Sequence, residues 1–265
     1  MCAVLLSVLL LVPAAASAQD ALGQARTFYN KRQYEMAERA ARIALEQPAT
    51  ANGARVVLGR IHLERYRETD APSHLAEARA ALRDVDPRTL DDRERLELTV
   101  GLAETLFLED RFAAAAELFA PLLDASRALG PAAHQRVLDW WASALDRHAQ
   151  RRPMPERAAI YERIGERMRA ELVGKPGSAT AGYWHVAAVR GTGDIDGAWS
   201  AAMAAWVRAV LAPDRGDALR ADLDRMVLEG IVADRAARLG LKDPTAAIAG
   251  MVNEWELFKS EWARR

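Results

Sequence analysis

The chain has 265 residues, and its 36 basic side chains nearly balance its 37 acidic ones. This balance, with no long basic run, argues against the electrostatic surface of a nucleic-acid-binding protein. The single cysteine is Cys2. The chain after it has no thiol, which excludes disulfides, cysteine nucleophiles and thiolate metal sites from that part.

The first twenty residues, MCAVLLSVLLLVPAAASAQD, have the pattern of a secretory signal peptide. A short uncharged apolar run is followed by Ala16-Ser17-Ala18, which has the small residues of a cleavage site. A membrane anchor needs about 20 apolar residues, and Pro13 interrupts this run. The usual positive charge before the run is missing, which an upstream start codon would explain. We expect a signal peptide at 1–18, a periplasmic or secreted protein, and no stable membrane insertion after cleavage.

The remaining sequence predicts an all-α protein. Apolar residues recur with the spacing of amphipathic helices, and no stretch alternates with period two for long enough to make a strand. Asp243 and Pro244 mark the start of the last helix as its N-cap and first position. Gly230 is expected to end a helix. The predicted helix pairs are 20–31 with 34–46, 51–66 with 73–85, 92–108 with 112–124, 132–149 with 155–172, and 179–190 with 195–211, followed by helices at 217–229, 233–239 and 244–263.

These five hairpins repeat at intervals of about 40 residues. In the second helix of each, a small residue stands at a comparable place: Ala37, Ala78, Ala115, Ala158 and Ala198. The segments KRQYEMAERAARIAL (31–45) and EDRFAAAAELFAPLL (109–123) both have a polar corner, an aromatic residue, and alanine three residues later. The alanine is expected where the paired helices cross most closely.

Two short matches link these hairpins to a known family. Leu58-Gly59 followed by His62, and Ala115 followed by Phe119, agree with the two halves of the tetratricopeptide-repeat motif. Residues 19–211 therefore resemble a tetratricopeptide-repeat region, and this implies a right-handed α-solenoid of about five hairpins. The helices in 212–265 would cap it. A spacing near 40 residues also suits other α-solenoids of the HEAT type, so the subfamily stays open.

The resemblance also implies a functional surface, because the first helices of such hairpins line a concave groove. A mixture of charges in that groove suits a protein or peptide partner better than a polyanion. Tyr29 is the expected anchor, and Arg26, Tyr29, Asn30 and Arg60 should not be needed to fill a hairpin core. The alternative is that Tyr29 packs on the neighbouring hairpin and Arg26 pairs with a glutamate. Carried over position by position, the register places these residues in the groove: Arg26, Tyr29, Asn30, Arg60, Glu64, Glu104, Asp139, Asp146, Tyr183 and Arg190.

The glycine-rich stretch RGTGDIDG (190–197) has other interpretations that its spacing excludes. A dinucleotide-binding fingerprint needs glycine where Asp196 stands, and it follows a strand. A calcium loop needs a third ligand before its glycine, and here Gly197 comes too early. The stretch predicts a corner between two helices, with a glycine ending the first and an aspartate capping the second.

No motif indicates catalysis, a cofactor or a metal. The histidines are scattered, and His62 occupies the tyrosine position of the repeat motif, which favours a packed core residue. Adjacent Trp140 and Trp141 cannot face the same side of a helix, so one should be buried. We therefore expect a non-enzymatic protein-interaction or peptide-binding module without catalytic, cofactor-binding or metal-binding residues. The alternative is a helical scaffold or accessory subunit of a periplasmic enzyme or solute-uptake system with a small-molecule site.

The signal-peptide pattern predicts cleavage after Ala18, because the small residues there follow the apolar run directly. The intact mass of the protein isolated from the cell envelope should correspond to a chain that begins at Gln19. A mature protein that retains Val4 to Leu11 would contradict this prediction.

Overall fold

The computed structural model of the chain describes residues 13–212 and 214–263, with side chains from 19 to 212 and from 214 to 262. Throughout these ranges the regular elements are helices and no strand occurs, which confirms the predicted all-α fold. The chain divides into two compact units between Gly130 and Pro131. Within the described ranges, no helix is both long and apolar enough to cross a membrane.

The predicted signal peptide is described only in part, because residues 1–12 lie outside the described residues. The first helix begins at Pro13 and runs through the predicted cleavage point after Ala18. Core residues follow soon after that point, since Leu22 and Ala25 are buried. Leu22 and Ala25 would therefore remain in a chain cleaved after Ala18.

The first unit, which we call unit 1, is built from antiparallel helix pairs. Its helices are α1 (Pro13–Asn30), α2 (Tyr34–Leu45), α3 (Pro48–Thr69), α4 (Pro72–Arg83), α5 (Asp92–Leu108), α6 (Phe112–Phe119) and α7 (Leu122–Ala125). The first helices of the pairs lie side by side, with α1 against α3 and α3 against α5. The second helices α2 and α4 each contact their own partner and the first helix of the next pair. The helix predicted at 112–124 is divided at Ala120 and Pro121.

Two corners of unit 1 have the same backbone geometry. Arg32, between α1 and α2, and Asp110, between α5 and α6, both have a φ of 58°. In each corner the next residue donates its backbone N–H to the carbonyl oxygen five residues earlier, over 2.9 Å. This bond and the left-handed residue before it form a Schellman closure of the first helix. The two segments that share a sequence pattern therefore share a local structure.

The small residues that define the sequence repeat lie mostly in the core. Ala37, Ala78, Ala115 and Ala198 are completely buried, whereas Ala158 is half-buried. A methyl group lets two helix backbones approach closely, and a larger side chain would force them apart. Four of the five predicted crossing points are thus buried as expected.

The second unit, unit 2, contains the remaining helices. They are α8 (Pro131–Ala149), α9 (Met154–Gly174), α10 (Ala179–Gly191), α11 (Ile195–Arg208), α12 (Asp217–Met226), α13 (Val232–Arg238) and α14 (Thr245–Ala263). Here α10 packs against α8, α9, α11 and α12, and α13 packs against α14. Asp243 accepts a hydrogen bond from the backbone N–H of Thr245 at 3.0 Å, as expected of the predicted cap of α14.

The glycine-rich stretch forms the predicted corner between α10 and α11. Gly193 has a φ of 89°, in the left-handed region that favours glycine. Asp194 is the N-cap of α11, where its side chain accepts a hydrogen bond from the backbone N–H of Gly197 at 2.9 Å.

The expectation that Gly230 ends a helix is wrong. A π-helical turn at Val227–Ile231 joins α12 to α13 without a break.

The C-terminal helix α14 covers an apolar face of α11. Trp255 is completely buried, and its ring packs edge-on against Trp199 and Trp206, with centroid distances of 5.9 and 5.4 Å. Its indole Nε1 donates a hydrogen bond to Asp224 at 2.8 Å. This arrangement packs three aromatic rings together and satisfies the polar atom of one of them. A separate expectation concerned the neighbouring residues Trp140 and Trp141 of α8, of which one should be buried. Trp141 is buried, as predicted.

We predict that Trp255→Ala lowers the free energy of unfolding by about 3–5 kcal/mol, because it removes a completely buried aromatic side chain. The matched control is Trp262→Ala on the same helix, whose side chain is 39% exposed. This control should lower the free energy of unfolding by less than about 1 kcal/mol. Urea denaturation of both variants measures the difference. Equal losses would show that α14 is not anchored through Trp255.

Candidate functional site

The residues predicted to bind a partner fall into two sets, one in each unit. In unit 1, six of them lie on α1, α3 and α5, and all except Asn30 bond to side chains of the same three helices. Tyr29 donates a hydrogen bond from its hydroxyl to Glu64 at 3.0 Å. The guanidinium of Arg60 lies over the Tyr29 ring, 4.3 Å from its centroid, and pairs with Glu97 at 3.1 Å. These polar groups therefore already have partners within the unit.

The same set of contacts continues along α3 and α5. Arg67 pairs with Glu64 at 2.5 Å and also with Glu104, and Arg26 pairs with Glu94. Glu104 is buried. We call the set the unit 1 charge network, and its members are Arg26, Tyr29, Arg60, Glu64, Arg67, Glu94, Glu97 and Glu104.

The contacts of Tyr29 and Arg26 agree with the alternative interpretation, in which Tyr29 packs on the neighbouring hairpin and Arg26 pairs with a glutamate. Glu104 is buried, and burial raises the pKa of Tyr29 to about 12. The physical reason is the close packing of α1, α3 and α5, which encloses long side chains between the helices. Asn30 is different, since it is exposed and borders a cavity of about 200 Å³ that Arg26 also lines.

In unit 2, Tyr183 and Arg190 line a larger cavity of about 790 Å³, together with Asp146. We call it the unit 2 cavity. Its walls come from α8, the first half of α9, α10, and the segment from α12 through the π-turn to α13. Its polar lining residues are Asp146, Gln150, Arg157, Tyr161, Tyr183, Arg190, Asp222, Arg225, Glu229 and Asp234.

One wall of the unit 2 cavity is formed by Tyr161 packed over Gly191. A Cβ atom at Gly191 would lie 2.3 Å from the Tyr161 ring, so the ring can occupy this place only above a glycine. The Tyr161 hydroxyl donates a hydrogen bond to Asp146 at 2.5 Å. Burial raises the pKa of Tyr161, which keeps the phenol neutral and able to donate.

The opposite wall depends on the π-turn. Arg190 pairs with Asp234 at 2.7 Å, and its guanidinium lies where a Cβ atom at Gly230 would be, with Nη1 at 2.4 Å. Glycine in the π-turn therefore makes room for the arginine. Single π-turns inside α-helices are often found at functional sites, because the extra residue changes which side chains face a cleft. Here the residue next to Gly230 is Glu229, which lines the cavity.

Tyr183 is the half-buried aromatic residue of the cavity. Its ring packs edge-on against Trp184, with a centroid distance of 5.3 Å, and Trp184 donates a hydrogen bond to Asp139 at 2.7 Å. Burial raises the pKa of Tyr183, and the negative charges of Asp222, Asp146 and Asp139 raise it further. The neutral phenol thus stands in a negatively charged part of the cavity.

Some polar residues that line the unit 2 cavity make few hydrogen bonds or ion pairs within the protein. Glu229 is exposed and has no ion pair with any residue in the described ranges. Arg225 is exposed and only loosely paired with Asp222, at 3.6 Å. The buried Nε atom of Arg157 has no hydrogen-bond partner. Glu229 and Arg225 can therefore bind a ligand without breaking a strong internal contact.

Sequence reasoning found Asp146, Tyr183 and Arg190 but missed Tyr161, Arg225 and Glu229. The missed residues lie outside the first helices of the five predicted hairpins. The one sequence signal for them was the glycine pair Gly191 and Gly230, which we interpreted as helix ends. Comparison of the chain with protein-family models, curated proteins and solved structures gave no match.

The unit 1 charge network predicts that Tyr29→Phe lowers the free energy of unfolding by about 1–2 kcal/mol. The substitution removes the hydroxyl that donates to a carboxylate, and such a bond contributes more than a neutral one. Asn30→Ala on the same helix is the control and should change stability by less than about 0.5 kcal/mol. Chemical denaturation measures both. If Tyr29→Phe is as stable as the parent, the network does not stabilise unit 1.

Proposed function

We propose that the protein is an exported binding module with tetratricopeptide-like repeats that holds a peptide segment of a protein partner in the unit 2 cavity. The repeat assignment rests on the helix contacts within each unit. In unit 1 the first helices α1, α3 and α5 are neighbours, and in unit 2 α8, α10 and α12 are neighbours in the same order. Such an arrangement makes a continuous surface from the first helices of consecutive hairpins.

The single observation that carries the binding proposal is the composition of the unit 2 cavity. Tyrosine, tryptophan and arginine are the residues most enriched among those that dominate protein recognition, and the cavity contains all three. Tyr183 and Trp184 offer rigid contact area, while Arg225 and Glu229 offer charges of both signs. A peptide with basic and acidic side chains complements this lining better than a polyanion does.

Unit 1 has a supporting role in this proposal. Its predicted groove residues Tyr29, Arg60 and Glu104 bond to one another or to neighbouring helices, and a partner would have to displace those bonds. Breaking a partly buried charge pair costs more than an exposed pair contributes. We therefore assign recognition first to the unit 2 cavity and only second to exposed residues of unit 1 such as Asn30.

Selection from a random peptide library displayed on phage tests the proposal. We expect the purified protein to enrich peptides that carry both charge signs, and Tyr183→Ala and Arg225→Ala to weaken their binding at least about tenfold each. Both variants should remain folded, because Arg225 is exposed and Tyr183 is only half-buried. Fluorescence anisotropy with the selected peptides measures the dissociation constants.

Lys242→Ala is the matched control, because Lys242 is an exposed cation of unit 2 that does not line the cavity. It should leave peptide affinity unchanged. Circular dichroism checks that all three variants remain folded. A library that yields no enriched sequence, or peptides that bind the cavity variants as tightly as the parent, would contradict the proposal.

A small-molecule site in a scaffold or accessory subunit is the second candidate, and the cavity volume favours it. A cavity of about 790 Å³ is within the range of about 300–1,000 Å³ that is usual for small-molecule sites. A thermal-shift screen of envelope solutes separates the two candidates. A solute at 100 times its dissociation constant stabilises the folded protein by about 2.7 kcal/mol, and Tyr183→Ala should abolish that shift.

A further inference from the structure

We infer that His62, His74 and Glu77 form a site in unit 1 for a single divalent transition-metal ion, with zinc as the expected occupant. The site is separate from the unit 2 cavity and independent of the proposed peptide binding. His62 lies on α3, and His74 and Glu77 lie on α4. One ligand atom from each residue falls within 4.8 Å of the other two.

The hairpin between α3 and α4 brings these residues together. His74 and Glu77 are three residues apart in a helix, so they lie on the same face of α4. The two-residue corner Asp70-Ala71 turns the chain back, so that α4 packs against α3 and its first turns face His62. No local sequence motif is involved, since the ligands come from two helices.

The two distances from Glu77 to the imidazoles are close to those of a tetrahedral metal site. Oε2 of Glu77 lies 3.0 Å from Nδ1 of His62 and 3.3 Å from Nδ1 of His74. Zinc binds imidazole nitrogen and carboxylate oxygen at about 2.0–2.2 Å, which separates tetrahedral ligand atoms by roughly 3.3–3.5 Å. The ligand atoms of His62 and His74 lie within 4.8 Å of each other, so the two rings would have to approach by no more than about 1.5 Å to complete the coordination.

The hydrogen bonding of the cluster is incomplete. Nδ1 of His62 is buried and has no hydrogen-bond partner, although the Glu77 oxygen is only 3.0 Å away. The oxygen lies off the hydrogen-bonding direction of the ring, so the contact does not satisfy the nitrogen. A buried polar atom without a partner is costly. A cation between the nitrogen and the carboxylate would satisfy both.

The ligand set indicates the class of metal. Two imidazoles and one carboxylate favour zinc and similar transition metals, whereas magnesium and calcium prefer oxygen ligands only. The exposed fraction of the side chains rises from 11% for His62 to 26% for His74 and 53% for Glu77, so one side of the cluster faces solvent. Three protein ligands leave a fourth position for water or for a group of a partner.

The charges around the cluster do not oppose a cation. Burial lowers the pKa of His62, the negative charges of Glu77 and Glu38 raise it, and the positive charges of Arg65 and His74 lower it. The Arg65 guanidinium is itself paired with Glu38 at 2.6 Å. With its carboxylate ionised, the cluster contributes a negative charge to the ion. A bound ion would link α3 to α4 and so stabilise the second hairpin.

Calorimetric titration of the metal-stripped protein with Zn²⁺ tests the inference. We expect one ion to bind per chain. We expect His74→Ala and Glu77→Gln to weaken zinc affinity by more than roughly 10–100-fold, which is the loss typical of removing an outer-shell group. Neither side chain is buried, so both variants should keep the fold. Titration with Co²⁺ should give the visible absorption of a tetrahedral ion in the parent and not in the variants.

The matched controls are His148→Ala, which removes a partly exposed histidine of unit 2, and Glu68→Gln, which removes an exposed carboxylate of α3. Both should bind zinc like the parent. The inference is overturned if the parent binds no zinc. It is also overturned if His74→Ala and Glu77→Gln bind zinc as tightly as the controls do, since the ion would then occupy another place.

Discussion

Small side chains that recur on the second helices of the hairpins lie in the core, and the close packing of the helix pairs depends on them. Ala37, Ala115 and Ala198 have no exposed surface. A larger residue there would separate the backbones and with them the apolar faces that the helices bury. Because a single hairpin cannot cover its own apolar face, each one needs a neighbour, and in unit 2 Trp255 of α14 covers a face of α11.

The same packing has different consequences on the polar faces of the two units. In unit 1, arginine and glutamate side chains of α1, α3 and α5 fill the space between the helices and bond to one another. In unit 2, Gly191 and Gly230 make room for the Tyr161 ring and the Arg190 guanidinium, which form part of the cavity wall. Of the charged residues around this cavity, Arg225 and Glu229 are exposed and have no strong internal contact.

The two proposed sites use different chemistry and lie in different units. The unit 2 cavity offers aromatic surface and charges of both signs, as peptide recognition requires. The cluster of His62, His74 and Glu77 offers two neutral nitrogen ligands and one anionic oxygen, as a transition metal requires. Both depend on side chains from neighbouring helices, which a hairpin aligns at a fixed distance. An all-α fold built from packed helix pairs can therefore carry separate sites without additional elements.

The sequence by itself determined the helices, most of their ends and the buried alanines. Asp194 at the start of α11 and the corners at Arg32 and Asp110 depend on hydrogen bonds between near neighbours, so a local pattern is sufficient to predict them. The buried faces follow from helical spacing in the same way.

Only the tertiary structure decided which polar residues meet. The chain is rich in arginine and in acidic residues, so many ion pairs are equally plausible from the sequence, and packing selects among them. Packing also places the Tyr161 ring over Gly191, fits Arg190 against Gly230 in a π-turn, and turns His62 toward Glu77. Each of these contacts joins residues on different helices. Their geometry depends on how closely the helices approach, and a one-dimensional pattern does not contain that distance.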